Sequence, residues 1–206
     1  MDQAAVLPAL LTTIGTMFLA ELTDKDALFL LALATKTKAS LVFASGAIAF
    51  TISTAIIVAV GSVLLVLVPV VAVKLAGGAI MLAYAAWELR KPSTKEQEMD
   101  ERERKLLDER GRSAWSIFFA ALVSLIALDL AGDATELLTV VLLARFDDVL
   151  VVFSGAVIGL VAATAVETTL GNRLGKLLSP RRIRYVSVTV FIIIGSIVIV
   201  TSLPGF

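Results

Sequence analysis

Long apolar runs broken by short polar stretches set the pattern of this chain. The first run extends from about Ala5 to Thr35, and only Glu21, Asp24, Lys25 and Asp26 interrupt it. As one straight helix it would be about 45 Å long, against about 30 Å for the hydrocarbon core of a bilayer. Ala27–Thr35 is too short to cross alone, so the pattern predicts one tilted or broken helix rather than two spans, ending at Lys36 and Lys38. A second run starts at Leu41 and a third ends at Leu89, with a turn near Pro69. The fourth covers Ala114 to Ala144 and again carries acids at its centre. The fifth runs from Val149 to about Leu170 and the sixth from Tyr185 to about Leu203. Apolar runs of about 20 residues are the mark of transmembrane helices. The expected fold is therefore all-α: a polytopic membrane protein with six transmembrane helices.

Composition agrees with this reading. Of 206 residues, 58% are hydrophobic and 17% charged, where a globular domain carries about 25% charged residues. The one long polar segment, Arg90–Arg112, holds eight basic and seven acidic side chains. Ser93 and Glu96 are spaced for a capping box, and the mixed signs argue for a solvated connector over a lipid-binding arm. Residues 1–89 and 114–206 then form two three-helix units, joined by a charged linker over 90–113.

Counting Lys and Arg by side sets the orientation. With six spans, the loops after the first, third and fifth helices share a side and hold fifteen of the eighteen basic residues. Lys74 and Arg145 lie opposite, and Lys25 lies in the membrane. The positive-inside rule puts both termini outside and the 90–113 loop in the cytoplasm. MDQAAVLPALL lacks the basic start of a secretory signal, so no cleaved leader is expected. Trp87 and Tyr185 read as interfacial anchors, and Gly77, Gly78 and the Gly155-x-x-x-Gly159 pair as points of close helix approach.

The chain also repeats itself. A shift of 109 residues pairs Asp24 with Asp133, Leu28 with Leu137, Leu33 with Leu142 and Lys36 with Arg145, then aligns Ser45-Gly46-Ala47 with Ser154-Gly155-Ala156. Three spans per half is an odd number, so the halves run oppositely through the bilayer as two inverted three-helix repeats. Such a plan sets a transport site near the midplane, where the repeats meet.

Charges inside a membrane are costly and point to a site. On a regular helix Glu21, Asp24 and Lys25 share a face while Asp26 points roughly the other way; Asp129, Asp133 and Glu136 share a face of the second cluster. Thr23, Thr135 and Thr139 add neutral oxygens, and Gly132 lets the backbone open. There is no cysteine and no histidine, so thiolate and imidazole chemistry is excluded, and side-chain oxygens favour hard cations such as Ca²⁺, Mn²⁺ or Mg²⁺. Four or five carboxylates in one low-dielectric volume need neutralising, by protons when empty and by a cation when filled. Exchange of a divalent cation for protons follows.

Lys25 balances charge, either against Glu21 or across the interface. Asp26 is as suited to capping a helix break as to ligation. Glu167, whose aligned position is Val58, either lines an aqueous exit path or pairs with Arg173.

At these clusters the chain resembles the small six-helix Ca²⁺/Mn²⁺–proton exchangers of the lysine-exporter superfamily. Their mark is two copies of E-x-G-D-(K/R)-(T/S), on helices one and four, each followed by a leucine- and alanine-rich run and a basic residue. Glu21-Leu22-Thr23-Asp24-Lys25 matches the first copy, with Thr23 in place of Gly and Asp26 in place of Thr/Ser. Gly132-Asp133-Ala134-Thr135 matches the second, with Leu130 in place of Glu and Ala134 in place of the basic residue. The resemblance implies cation binding by Glu21, Asp24 and Asp133, with Asp129 or Glu136 supplying the charge lost at Leu130.

The expected metal set is thus Glu21, Asp24, Asp129, Asp133, Thr135 and Glu136. The cation is cargo, and no resident cofactor is expected. The partners are a divalent cation, protons and the lipid bilayer, with no nucleic acid; a homo-oligomer is left open. The expected location is a prokaryotic cell membrane. A passive divalent-cation channel and an exporter of a cationic amino acid are the competing readings. No nucleophile–base arrangement is visible, so an enzyme is not expected.

Overall fold

The computed structural model describes residues 3–22, 24–90, 113–130, 134–177 and 180–202. The Ser93–Glu96 capping box, with the rest of 91–112, lies outside the described residues. All eight elements found among those described are helices: α1 (Gln3–Leu22), α2 (Lys25–Lys36), α3 (Ala39–Leu67), α4 (Val70–Arg90), α5 (Ala114–Asp129), α6 (Ala134–Phe146), α7 (Val149–Leu177) and α8 (Pro180–Val200). The first and fourth apolar runs each divide in two at their acids. The turn expected near Pro69 falls between α3 and α4, where the backbone N–H of Val68 closes the helix on the Leu64 carbonyl at 2.9 Å.

The surface is oily and the interior holds the acids. Val66 is 84% exposed and Leu150 77%, whereas Glu21 and Glu167 are each 1% exposed. That inverts the pattern of a water-soluble protein and suits a lipid solvent. Four stretches are long and apolar enough to cross a membrane by length and composition: Ala5–Leu22, Ala39–Leu67, Val70–Trp87 and Val149–Leu170. Shorter apolar helices cover Ala114–Ala127 and Phe191–Val200. The chain is a polytopic helical membrane protein.

The two halves have the same element order: a broken helix, a 29-residue helix and a 21-residue helix. Packing crosses between them. α7, from the second half, lies against α1 and α2 of the first; α3, from the first, lies against α5 and α6 of the second. α3 and α7 touch each other, and α4 pairs with α8 to one side. Small residues make these approaches close. A Cβ on Gly159 would stand 2.6 Å from the Ile14 carbonyl oxygen, and one on Gly155 2.8 Å from Thr13 Cβ. Gly78 and Gly195 face each other in the same way across α4 and α8, a Cβ on either standing 3.0 Å from the other's carbonyl oxygen. Between these contacts Met17, Phe29, Leu30, Leu33, Phe50, Leu125, Leu138 and Leu160 form a dry core.

Candidate functional site

Both breaks fall at acids. α1 ends at Leu22 and the N–H of Asp24 donates to the Glu21 carbonyl at 2.9 Å, a tightened turn from which α2 departs at Lys25. α5 ends at Asp129, and the N–H of Leu130 still donates to the Ile126 carbonyl at 2.9 Å. α6 then begins at Ala134. Each second segment opens with an acid in its first turn, Asp26 in α2 and Glu136 in α6, where the helix dipole favours negative charge. Each first segment ends with the negative end of its dipole at the break, which favours a cation there.

The break is one of the two forms expected of the first run. On a regular helix Asp26 would point away from Glu21 and Asp24. Beyond the turn at Asp24 all three are buried, Glu21 at 1% exposure, Asp24 at 5% and Asp26 at 1%, with Asp26 close enough to act on Glu21. Glu21 lies within electrostatic reach of Asp24, Asp26, Asp129 and Glu167, and Glu167 within reach of Asp26. Acids from α1, the α1–α2 turn, α2, α5 and α7 are thereby drawn to one region. Lys25 opens α2, but its side chain lies outside the described residues, as do Thr23 and Asp133.

The surroundings differ at the two breaks. Asp129 is met by hydroxyls: Ser53 of α3 donates to its Oδ2, and Thr135 of α6 to its Oδ1 at 3.4 Å. The Ala49 carbonyl, 3.0 Å away, is the alternative acceptor for Ser53, but the carboxylate is the stronger one. Thr139 donates to the Thr135 carbonyl at 2.8 Å and reaches Met17 Sδ of α1 at 3.8 Å, tying α6 to the first broken helix. On the other side Glu21 Oε1 and both oxygens of Glu167 meet no hydrogen-bond donor among the described residues. Glu136 is only half-buried, so of the two acids offered for the charge lost at Leu130, Asp129 is the one enclosed. Among the described residues no three acidic side chains converge tightly enough to hold a metal ion.

An acid in the middle of an apolar helix is a signal in itself. Glu167, expected either to line an aqueous exit path or to pair with Arg173, is buried within reach of Asp26; the Arg173 side chain lies outside the described residues. Ser53 left no such signal, since a serine in a membrane helix commonly bonds its own backbone, as Ser45 does to the Val42 carbonyl at 2.9 Å.

A family model described as divalent cation/proton antiporter GDT1 matches residues 9–96 and 115–205, one stretch on each side of the polar segment. No curated protein and no solved structure gives a significant match. The family match covers nearly the whole chain, so the chain belongs to the GDT1 family of divalent cation/proton antiporters.

Proposed function

We propose that this membrane protein exchanges Mn²⁺ or Ca²⁺ for protons at a carboxylate site between its two broken helices. The observation that carries this reading is the enclosure of Glu21 with Asp24, Asp26, Asp129 and Glu167 within its electrostatic reach, in a protein whose outer surface is apolar. So many carboxylates share a low-dielectric volume only when neutralised. A hard divalent cation and protons are alternative ways to do so, and they compete for the same oxygens. Cation entry then expels protons, and proton entry expels the cation.

Glu21, Asp24, Asp129 and Asp133 serve as ligands, and the Thr135 hydroxyl and half-buried Glu136 add oxygens on the second side. Lys25 offsets part of the negative charge. The exchange cycle is the movement of two inverted three-helix repeats, 1–89 and 114–206, around the fixed site, with six spans, both termini outside and the 90–113 linker in the cytoplasm. The matching element order of the halves and their crossed packing support this plan. A prokaryotic cell membrane is the proposed location.

Proteoliposomes loaded with a pH-sensitive dye test the reading. An imposed Mn²⁺ or Ca²⁺ gradient is expected to drive protons the opposite way. Cation flux without a proton signal would replace exchange by a passive channel.

A further inference from the structure

Glu167 belongs to neither acid cluster of the repeat, yet this acid of α7 is fully enclosed, at 1% exposure. Neither of its carboxylate oxygens meets a hydrogen-bond donor among the described residues. α7 packs against α1, α2 and α3, and the charges of Asp26 and Glu21 act across that contact. The position related to it by the repeat, Val58 of α3, is apolar and buried at 5%.

A structural acid in such a place would hold a donor, as Asp129 holds Ser53 and Thr135. Without one, a buried carboxylate beside other carboxylates only costs stability. An apolar residue, as at the related valine position, would serve packing better. What offsets the cost is a positively charged ligand that visits the site. The charge is also wanted there, because the second broken helix has Leu130 where the first has Glu21. Leu130 is 40% exposed.

We propose that Glu167 is a further cation-binding residue of the transport site, supplied by α7 to the break between α1 and α2. The site is then built from three elements, two broken helices and the long helix that crosses from the second half to the first. This inference rests on the exchange reading above. Like-charged carboxylates spread apart, and a divalent cation is what draws such a set to ligating distance. Glu167 therefore acts on how tightly the cation is held.

The test compares wild type, Asp24→Asn, Glu167→Gln and Glu167→Asp in proteoliposomes, with external Mn²⁺ varied and proton movement read by an internal dye. Glu167→Gln is expected to raise the Mn²⁺ concentration for half-maximal exchange about tenfold or more, with the maximal rate within about threefold of wild type. Glu167→Asp, which keeps the charge on a shorter arm, is expected to fall between the two, and it carries the test alone should the glutamine variant not survive purification. Wild-type half-saturation in the variants measured overturns the inference while inactive Asp24→Asn leaves the exchange reading standing. A fall in maximal rate at unchanged half-saturation also overturns it, by assigning Glu167 to packing. No Mn²⁺-driven proton movement in wild type overturns the exchange reading itself.

Discussion

The two broken helices share a plan and differ in chemistry. At the α1–α2 break three acids, Glu21, Asp24 and Asp26, are enclosed, and α7 adds Glu167. At the α5–α6 break the enclosed acid among the described residues is Asp129, and its oxygens are met by Ser53 and Thr135. Among the described residues, the first side gathers several enclosed acids, with Glu21 Oε1 and both Glu167 oxygens meeting no donor, while on the second the enclosed carboxylate is already held by hydroxyls. The backbone breaks at acids in both halves, while the side chains around each break differ. A carboxylate held by hydroxyls is positioned before any ligand arrives, whereas one without donors owes its neutralisation to the ligand.

The comparison breaks most visibly at the paired aspartates. Asp24→Asn and Asp133→Asn are each expected to abolish Mn²⁺-driven proton movement in proteoliposomes; full activity in both would sink the site. Glu21→Gln and Asp129→Asn sharpen the contrast between sides. Both should weaken cation binding, but Glu21, whose Oε1 meets no donor among the described residues, owes more to the cation, so Glu21→Gln should raise the half-saturating concentration more, by about tenfold over Asp129→Asn. Equal effects in flux titrations would erase the distinction drawn here. Ser53→Ala removes one of the hydroxyls that hold Asp129, a loss of about 1 kcal/mol and so roughly fivefold in half-saturation, and Ser53→Thr should restore it.

The smallest effects on transport concern the frame, where the change is read in stability. Gly159→Ala forces a methyl against the Ile14 carbonyl oxygen at 2.6 Å, and should cost about 1–3 kcal/mol through overpacking. Gly15→Ala, on the same pair of helices, meets nothing within 4 Å and should be neutral or stabilising by up to about 1 kcal/mol. Thermal unfolding in detergent reads both, and a shared sign would refute the α1–α7 contact.

Much of this was legible in the residues. Apolar runs as long as Ala39–Leu67 leave few alternatives to a membrane helix, and acids within such runs mark the site whatever their neighbours. The turn at Pro69 and the glycine contacts followed from local rules. Of the two forms expected for the first run, tilted or broken, the broken one is found, and the face read for Asp26 on a regular helix does not carry across the turn at Asp24. Ser53 meets Asp129, and Glu167 comes within reach of Asp26, through helices distant in sequence, and only the crossed packing of α3 and α7 reveals which residues they meet.

That crossed packing has a consequence in time. Glu21 and Asp26 are made early, while α7, which encloses them, is made late. Roughly 140 residues separate Asp26 from Glu167, about 7 to 28 seconds of synthesis at 5–20 residues per second. Through that interval the first half waits in the membrane with its acids uncovered, open to water or to whatever protein assists insertion. The newborn chain is therefore most vulnerable before its last two helices arrive, and a truncation just short of α7 should leave the first half exposed to quality control.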